Sequence, residues 1–387
     1  MKALSKGMAG LALAGCFLLL VSGCGKSGSD DNGGALPNYS LNGQVTAIEV
    51  APDGTTYIGG DFSLVTLGTM SVVRHNLAKI DSAGRLASWD PSVDGAVSSI
   101  VLSGSTVYTG GAFTVVNTSA TPIARGYLAA FDANTGQATS WNPSANFTVN
   151  ALAISPSGTT VYAGGWFSLV NTSATPTARN FLAAFDSSAG LATAWNPGPD
   201  SVVYALAVNG DIVYAGGGFG TVNAGSKTRS RLAAFDALTG TASSWDPSPG
   251  SDVYSLAVSG NTVYAGGGFT TVNTSSTLAA RNSLASFNTT TGLVTAWDPH
   301  PSAGVYALAI SNSTVYAGGA FTSVNNGAEA RNYLASFNTA TGLATAWDPE
   351  PNSLVLALAV HGNYLYTGGT FTAIGSQPRG YFARLRR

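Results

Sequence analysis

Residues 203–219 of this 387-residue chain read VYALAVNGDIVYAGGGF, and this stretch decides the fold. Apolar side chains fill both alternating sets of positions from Val203 to Val208, which predicts a strand covered on both faces. A turn of sequence Asn-Gly-Asp at 209–211 leads into a second apolar run that ends at Gly216 and Gly217. The stretch therefore predicts a short hairpin that needs protein on both sides of it.

The end of this stretch, Tyr-x-Gly-Gly-x-Phe, recurs seven times at intervals of 50 to 54 residues. The seven copies begin at Tyr57, Tyr108, Tyr162, Tyr214, Tyr264, Tyr316 and Tyr366. A second signature, Trp followed by Asp or Asn and then Pro, recurs between the copies at Trp89, Trp141, Trp195, Trp245, Trp297 and Trp347. The chain is therefore an array of seven similar units.

Each unit is predicted to hold four antiparallel strands. A polar loop after the first hairpin leads to a third strand, such as Leu232 to Asp236. A turn that ends at Gly240 then returns the chain through a fourth strand to Trp245. No segment shows helical spacing with capping residues, so the fold class is all-β.

A sheet that is apolar on both faces is stable only between similar sheets, and a repeat of about 50 residues favours a β-propeller. Residues 38–387 are thus predicted to form a seven-bladed β-propeller of four-stranded antiparallel blades, with an open or eight-bladed ring as the alternative. The last unit stops at Arg387 after three strands. Residues 34–39 stand where a fourth strand would precede the first unit, so this N-terminal segment is expected to complete the last blade.

The composition excludes two classes of protein. Only 9% of the residues are charged and the formal net charge is −2. A sparsely charged chain with 45% hydrophobic residues does not resemble a disordered one. Because the chain has no excess of positive charge to bind a phosphate backbone, nucleic acid is not an expected partner.

The start of the chain indicates export. Lys2 and Lys6 precede an apolar run over residues 8–21, which is typical of a secretory signal. The following Leu-Val-Ser-Gly-Cys, ending at Cys24, resembles the lipobox of bacterial lipoproteins. The resemblance implies a signal peptide over 1–23, lipidation of Cys24, a flexible tether over 24–37 and attachment to a membrane of the bacterial cell envelope. Gly25 after the cysteine favours the outer membrane, and the alternative is an unmodified Cys24 thiol.

The repeats resemble known families. An apolar strand, Gly-Gly, a second hydrophobic strand and Trp are similar to kelch repeats, and Leu-Ala-x-Phe-Asp/Asn with Thr-Gly and Trp is more similar to bacterial delta-sixty propeller repeats. Residues 130–141 also resemble the tryptophan-docking motif of pyrroloquinoline quinone dehydrogenases, although four residues separate Gly136 from Trp141 where that motif has three. The last resemblance implies that each repeated Trp docks flat against the neighbouring blade. These resemblances imply a fold and little chemistry.

One basic residue also follows the repeat, three positions before each third strand. These residues are Arg74, Arg125, Arg179, Arg229, Arg281, Arg331 and Arg379. The structural interpretation is that each guanidinium binds the Trp-Asp/Asn-Pro segment through its carboxylate, its carbonyls or the indole. The functional alternative is a ring of anion-binding arginines on one face of the propeller.

Positions that deviate from the repeat are the candidates for specificity. The residue before Phe in the hexapeptide varies and includes Asp61 and Trp166. An exposed Trp166 can stack on a sugar or on a partner's side chain, with local packing as the alternative. His300 and Glu350 follow two Trp-Asp-Pro segments at the same end of the propeller and form a candidate acid–base pair.

The sequence predicts no catalytic residue, metal site or cofactor, because its three His residues are isolated and the mature chain would keep only Cys24. The predicted function is a lipid-anchored, extracytoplasmic, non-catalytic binding or assembly scaffold with a protein or carbohydrate partner. Two alternatives stay open. One is a propeller hydrolase or lyase acting on surface polysaccharide, and the other is a quinone-dependent dehydrogenase-like protein.

Overall fold

The computed structural model describes residues 39–273 and 275–387, which form strands, turns and loops without any helix. The predicted signal peptide, tether and Cys24 lie outside these residues. The strands are β1 (Tyr39–Leu41), β2 (Val45–Val50), β3 (Thr56–Gly60), β4 (Leu64–Leu67), β5 (Met70–Val73), β6 (Leu77–Ile80), β7 (Val97–Ser103), β8 (Thr106–Gly111), β9 (Val115–Val116), β10 (Ile123–Ala124), β11 (Leu128–Asp132), β12 (Val149–Ile154), β13 (Thr160–Gly165), β14 (Leu169–Val170), β15 (Thr177–Ala178), β16 (Leu182–Asp186), β17 (Val203–Asn209), β18 (Ile212–Gly217), β19 (Thr221–Val222), β20 (Lys227–Thr228), β21 (Leu232–Asp236), β22 (Val253–Ser259), β23 (Thr262–Gly267), β24 (Thr271–Val272), β25 (Ala279–Ala280), β26 (Leu284–Asn288), β27 (Val305–Ser311), β28 (Thr314–Gly319), β29 (Ser323–Val324), β30 (Glu329–Ala330), β31 (Leu334–Asn338), β32 (Val355–His361), β33 (Tyr364–Gly369), β34 (Ala373–Ile374), β35 (Gln377–Pro378) and β36 (Phe382–Arg386).

Each repeat unit contributes one three-stranded antiparallel sheet with its second strand in the middle. The seven sheets have the orders β2-β3-β6, β7-β8-β11, β12-β13-β16, β17-β18-β21, β22-β23-β26, β27-β28-β31 and β32-β33-β36. In the fourth sheet Tyr214 pairs with Ala207 on one side and with Ala234 on the other. This repetition of small antiparallel sheets confirms the all-β prediction and is consistent with a β-propeller.

The polar loop between the second and third strands folds into a small hairpin in every unit. Six of these hairpins are two-stranded: β9-β10, β14-β15, β19-β20, β24-β25, β29-β30 and β34-β35. The first unit has the longer hairpin β4-β5, and β1 adds to it as a third strand.

The segment predicted as a fourth strand pairs with its sheet at a single point. In the fourth unit Phe235 forms an isolated bridge with Ala242, and the Ser243 amide donates to the Ala234 carbonyl at 2.9 Å. The chain then leaves the ladder, and the Trp245 indole N–H donates to the Asn288 carbonyl of the next sheet at 2.8 Å. The sheets therefore have three strands within the described residues, because the Trp-bearing segment turns towards the neighbouring sheet.

The turn between the third strand and this segment is held by its own side chains. The Asp236 carboxylate accepts hydrogen bonds from the amides of Leu238 and Thr239 at 3.1 and 2.7 Å. Gly240 closes the turn at a φ of +74°, which other residues adopt only with strain. A Cβ there would also lie 3.3 Å from Cδ1 of Trp195 in the preceding unit. The Asp-x-x-Thr-Gly pattern is therefore a turn that fits beneath a neighbouring indole.

The first glycine of each Gly-Gly pair lets adjacent sheets approach closely. A Cβ on Gly216 would lie 2.5 Å from Cγ1 of Val253, the first residue of the next sheet. The same relation holds between Gly368 in the last sheet and Val45 in the first. Accordingly, the first strand of each sheet packs beside that of the next, and β32 packs beside β2.

The hydrophobic core consists of layers between neighbouring sheets. The layer between the fourth and fifth sheets contains Tyr214, Trp245, Val253 and Phe287, all of them buried. The Trp245 ring meets Tyr214 at 5.2 Å and 72° and Phe287 at 6.3 Å and 77°. The repeated Trp thus joins two sheets and meets these two rings edge-on. Flat docking of the indole on the neighbouring blade stays a prediction.

The repeated arginines bind the segment that precedes the Trp. Arg125 donates from Nη2 to the Thr139 carbonyl at 2.7 Å and from Nη1 to the Ala124 carbonyl at 2.9 Å. Five others make the same bond to the carbonyl two residues before their Trp; they are Arg74, Arg179, Arg229, Arg281 and Arg331. Burial lowers the pKa of Arg125 and Arg179. The Nη donors of these arginines are thus used inside the protein, while Nε of the same six residues is buried without a hydrogen-bond partner in the described chain. Binding to the Trp-Asp/Asn-Pro segment itself stays a prediction.

The described chain begins between the last and first sheets. The Leu41 amide donates to the Gly380 carbonyl of the last unit at 3.1 Å, and β1 pairs with β4 of the first unit. The Tyr39 hydroxyl donates to the Gly84 carbonyl in the first unit at 2.8 Å. The N-terminal segment therefore contacts both ends of the repeat array.

Replacing one repeated Trp should destabilise the whole protein. Trp245→Ala removes a buried indole that joins two sheets, and we expect a loss of about 3–5 kcal/mol in the free energy of unfolding, measured by urea denaturation. Trp166→Ala is the matched control, because that indole is 44% exposed and its loss should cost much less. Equal stability of the two variants would contradict a packing role for Trp245.

Candidate functional site

Each first strand contains one unpaired residue next to its first residue. In the fifth sheet Val253 pairs with Gly267 and Ser255 with Gly266, so Tyr254 is left out of the register. Such a bulge redirects a side chain and recurs near functional sites. The bulged residues of the seven sheets are Thr46, Ser98, Asn150, Tyr204, Tyr254, Tyr306 and Leu356.

Three consecutive bulges carry tyrosines, and these form a continuous row with Trp166. The ring centroids of Trp166 and Tyr204 are 6.4 Å apart, those of Tyr204 and Tyr254 are 5.6 Å apart, and those of Tyr254 and Tyr306 are 5.7 Å apart. We call these four residues the aromatic arc. It spans four neighbouring units, from the third to the sixth.

The arc presents both apolar rings and polar hydroxyls. Trp166 is 44% exposed and the three tyrosines are partly exposed. Within the described residues the three hydroxyls make no hydrogen bond to the protein. Burial raises the pKa of all three, with that of Tyr204 raised to about 12. The hydroxyls therefore stay protonated at neutral pH and can donate as well as accept hydrogen bonds.

An ion pair lies beside the middle of the arc. Nε of Arg231 is 3.1 Å from Oδ1 of Asp252, and Nη1 of Arg231 donates to the Phe219 carbonyl at 3.2 Å. After burial, the nearby Asp252 charge is the second cause that raises the pKa of Tyr204 and of Tyr254. The arc thus has an ion pair near enough to affect the pKa of two of its hydroxyls.

Two glycines lie directly against the polar groups of the arc region. Gly218 and Gly268 occupy the repeat position that Trp166 fills in the third unit. A Cβ on Gly268 would lie 3.4 Å from the Tyr254 hydroxyl oxygen, and one on Gly218 would lie 3.5 Å from Oδ2 of Asp252. The same position therefore carries an indole at one end of the arc and no side chain beside its middle.

The exposed aromatic surface continues past Trp166. Phe147 is exposed and stacks on Tyr127 at 6.2 Å and 14°. The next residue, Thr148, accepts a hydrogen bond at its carbonyl from the Trp166 amide at 2.9 Å. Phe147 and Trp166 thus belong to one region of the surface.

Two of the bulges without a tyrosine use their polar groups internally. The Thr46 hydroxyl donates to the Val97 carbonyl at 2.7 Å, and Asn150 Nδ2 donates to the Val203 carbonyl at 3.1 Å. Each of these bonds reaches the first strand of the next sheet. The seven equivalent positions therefore differ in role, and the aromatic ones lie together.

Of the four candidate binding residues from the sequence, Trp166 alone lies in the arc. Asp61 is exposed at the equivalent position of the first unit. His300 Nε2 lies 2.6 Å from Asn282 Nδ2, and its Nδ1 lies 3.7 Å from Asp298 Oδ1. No hydrogen bond or ion pair joins His300 to Glu350 in the described chain, so the acid–base pair stays a prediction.

Sequence reasoning missed Tyr204, Tyr254, Tyr306, Arg231 and Asp252. Tyr204 fits a regular alternating strand, and the bulge that redirects it has no local signature. The signal in the sequence was that the second residue of the first strand changes from unit to unit, while the residues around it repeat. This signal resembles the one that singled out Trp166.

A separate cleft of about 320 Å³ lies against the β4-β5 hairpin of the first unit. Val65, Leu67 and Met70 line it together with Arg74 and Arg85. It does not include any residue of the arc.

Residues 39–273 and 275–387 contain no group of three His, Cys, Asp or Glu side chains placed to hold a metal ion. The same residues include no helix long and apolar enough to cross a membrane.

Comparison with known proteins supports the fold. No family model matches the chain, and no curated protein matches it. The chain is similar to the crystal structure of a computationally designed protein, Ika8, with a TM-score of 0.54 and 19% sequence identity. That alignment covers 90% of this chain and 98% of the designed one. At this identity the likeness concerns the fold alone.

One carboxyl group departs from the repeat at a partly buried position. Glu49 lies in β2 and pairs with Tyr57, at a position where five other sheets have buried alanines: Ala153, Ala207, Ala257, Ala309 and Ala359. Burial raises the pKa of Glu49 to about 8. Above the pKa of a free carboxyl group, Glu49 is ionised and solvated in the unfolded chain. Folding then requires this carboxylate to lose part of its hydration or to bind a proton, so Glu49 opposes folding.

We expect Glu49→Ala to stabilise the protein in a pH-dependent way. Because the folded pKa is raised, the native protein binds more protons than the unfolded chain between pH 4.5 and about 8, so its stability falls as pH rises through that range. At about 1.4 kcal/mol per pKa unit, the variant should gain about 1–3 kcal/mol at pH 9 and little at pH 4. Urea denaturation at both pH values checks this, with Glu49→Gln as the charge-only control. A gain independent of pH would contradict the explanation.

Proposed function

We propose that this protein is a lipid-anchored, extracytoplasmic seven-bladed β-propeller that acts as a non-catalytic binding or assembly scaffold, with the aromatic arc as its binding site. The observation that carries the proposal is the arc itself. Three neighbouring units project tyrosines whose hydroxyls have no protein partner in the described chain, beside an exposed Trp166.

Two observations support seven four-stranded blades. The first strands of the seven sheets neighbour one another in turn, and the last of them packs beside the first. Each bridged segment before a Trp takes the place of a fourth strand. The Leu41 amide bonds to the Gly380 carbonyl as the Ala145 amide bonds to that of Gly126, so we propose that the N-terminal segment supplies the missing part of the last blade.

A scaffold role fits the way the repeat uses its residues. The repeated Trp and Arg side chains bind neighbouring backbone, as Trp141 does with Asp186 and Arg125 with Thr139. The fold thus requires these positions in almost every unit. The bulge position and the position before Phe in the hexapeptide vary between units without loss of the fold. These positions are therefore able to serve in ligand binding.

A neutral carbohydrate is the ligand class that suits the arc best. Tyrosine and tryptophan combine a flat apolar ring with a hydrogen-bonding group, which matches the C–H faces and hydroxyls of a sugar. Arg231 and Asp252 form an ion pair with each other, so this pair offers no net charge to an ionic ligand. A protein partner, which would also use exposed Trp and Tyr, is the competing outcome.

The arc is tested by binding of neutral and acidic oligosaccharides in an array and by titration calorimetry. Trp166→Ala and Gly268→Leu should each weaken binding of a neutral glycan at least about tenfold, which corresponds to about 1.4 kcal/mol. Trp166→Ala removes the exposed ring, and Gly268→Leu places a large side chain against the Tyr254 hydroxyl. Ala112→Leu, at the same repeat position in the second unit, is the control and should bind normally. Glycan binding that neither variant weakens would contradict this site.

The anchor is tested on the protein isolated from membranes of its bacterial host. We expect the mature chain to begin at Cys24 and to carry a diacylglyceryl group on sulphur, because residues 20–24 match a lipobox. Mass spectrometry of the N-terminal peptide measures this. Cys24→Ser should move the protein to the soluble fraction, and an unmodified wild-type Cys24 would contradict the anchor.

A further inference from the structure

Four consecutive units carry a large exposed leucine in the turn after the third strand. Leu191, Leu238, Leu293 and Leu343 are 59%, 88%, 50% and 58% exposed. They lie in the third to sixth units, and we call them the leucine edge. The equivalent turns of the first and second units have Arg85 and Gln137 where Leu191, Leu293 and Leu343 stand.

The leucine edge and the aromatic arc lie at opposite ends of the sheets. In the fourth sheet Asp236, which begins the turn with Leu238, pairs with Ile212. At the other end of that central strand Gly217 pairs with Val203, the residue before Tyr204 of the arc. All sheets share this register, so one end presents leucines and the other presents aromatic rings.

The described chain begins at the leucine end. The Tyr39 hydroxyl donates to the Gly84 carbonyl at 2.8 Å, and Gly84 lies in the first unit's turn that corresponds to the leucine-bearing turns. Fourteen residues separate Cys24 from Tyr39, and fully extended they span at most about 50 Å. A lipid on Cys24 would therefore keep the molecule within about 50 Å of a bilayer, with the attachment point on the leucine end.

Two of the four turns of the leucine edge carry no charge, and the other two carry one carboxylate each. Residues 288–293 and 338–343 contain none. In the third and fourth units the carboxylates of Asp186 and Asp236 accept hydrogen bonds from backbone amides of the same turn. The leucines are thus the main side chains that these turns offer to a neighbouring surface.

We propose that the leucine edge rests on the surface of a phospholipid bilayer, with the aromatic arc directed away from it. This orientation builds on the lipid anchor proposed above. Transfer of leucine side chains from water to the acyl boundary of a bilayer lowers the free energy. An anchor at the same end removes most of the entropic cost of bringing the protein to the membrane. The anchor emerges near the first unit and the leucines lie on the third to sixth, so the two contacts together would hold the end flat against the membrane.

The test separates the edge from the anchor by using a synthetic tether. The chain from residue 24, which contains every described residue, is made with Cys24→Ser and an N-terminal hexahistidine tag. It is held on vesicles of phosphatidylethanolamine and phosphatidylglycerol that contain a nickel-chelating lipid. Since Cys16 lies before residue 24, a Leu343→Cys substitution provides the only thiol for an environment-sensitive fluorophore.

Tethering should shift the emission of the label at position 343 to shorter wavelength, and spin-labelled lipid should quench it. The same label introduced by Ala112→Cys, at the opposite end, should show neither change. Replacing Leu191, Leu238 and Leu293 together by Ser should abolish the shift at position 343. A label at 343 that stays in water while tethered, or that behaves like the one at 112, would overturn the proposal. The native N-terminal mass tests the anchor independently.

Discussion

The contact between a glycine of one sheet and a valine of the next governs the rest of this structure. Both faces of each sheet are apolar, and neither can be buried by the sheet's own residues. A Cβ on Gly216 would lie within 2.5 Å of Val253, so the close approach that buries these faces requires glycine. Burial of the apolar faces between closely packed sheets is the main favourable contribution to folding. The repeated Trp donates a hydrogen bond to the next sheet, and the repeated Arg holds the segment that precedes this Trp within its own unit.

This dependence on neighbours explains how the protein divides its positions between stability and binding. Residues in the layers between sheets are nearly the same in every unit, because each unit meets the same kind of neighbour. The bulge at the start of the first strand lies at the edge of this layer. In the third sheet this position holds Asn150, which bonds to the next sheet. In the fifth sheet it holds Tyr254, which belongs to a row of aromatic rings. A ligand site can therefore form on a few units without altering the packing of the others.

The third to sixth units carry both the aromatic arc and the leucine edge. The two features lie at opposite ends of the same sheets. One orientation of the molecule on a membrane can therefore place the leucines on the bilayer and leave the aromatic rings exposed. An anchored molecule lying on its leucine edge would direct Trp166 and the tyrosines into the surrounding medium. Such a division between a membrane-facing end and a ligand-facing end agrees with the proposed role as a scaffold.

The sequence alone determined the features that depend on neighbours along the chain. Alternation of apolar residues predicted strands, the Tyr-x-Gly-Gly-x-Phe hexapeptide predicted the units, and the Asp-x-x-Thr-Gly pattern predicted the turns, because each is set by local backbone geometry. The tertiary structure decided which side chains from different units meet. Trp245 leaves its own ladder because its indole bonds to Asn288, and Tyr204 joins Trp166 because a bulge turns it out of register. Both outcomes depend on contacts between residues about 40 positions apart, which no local pattern specifies.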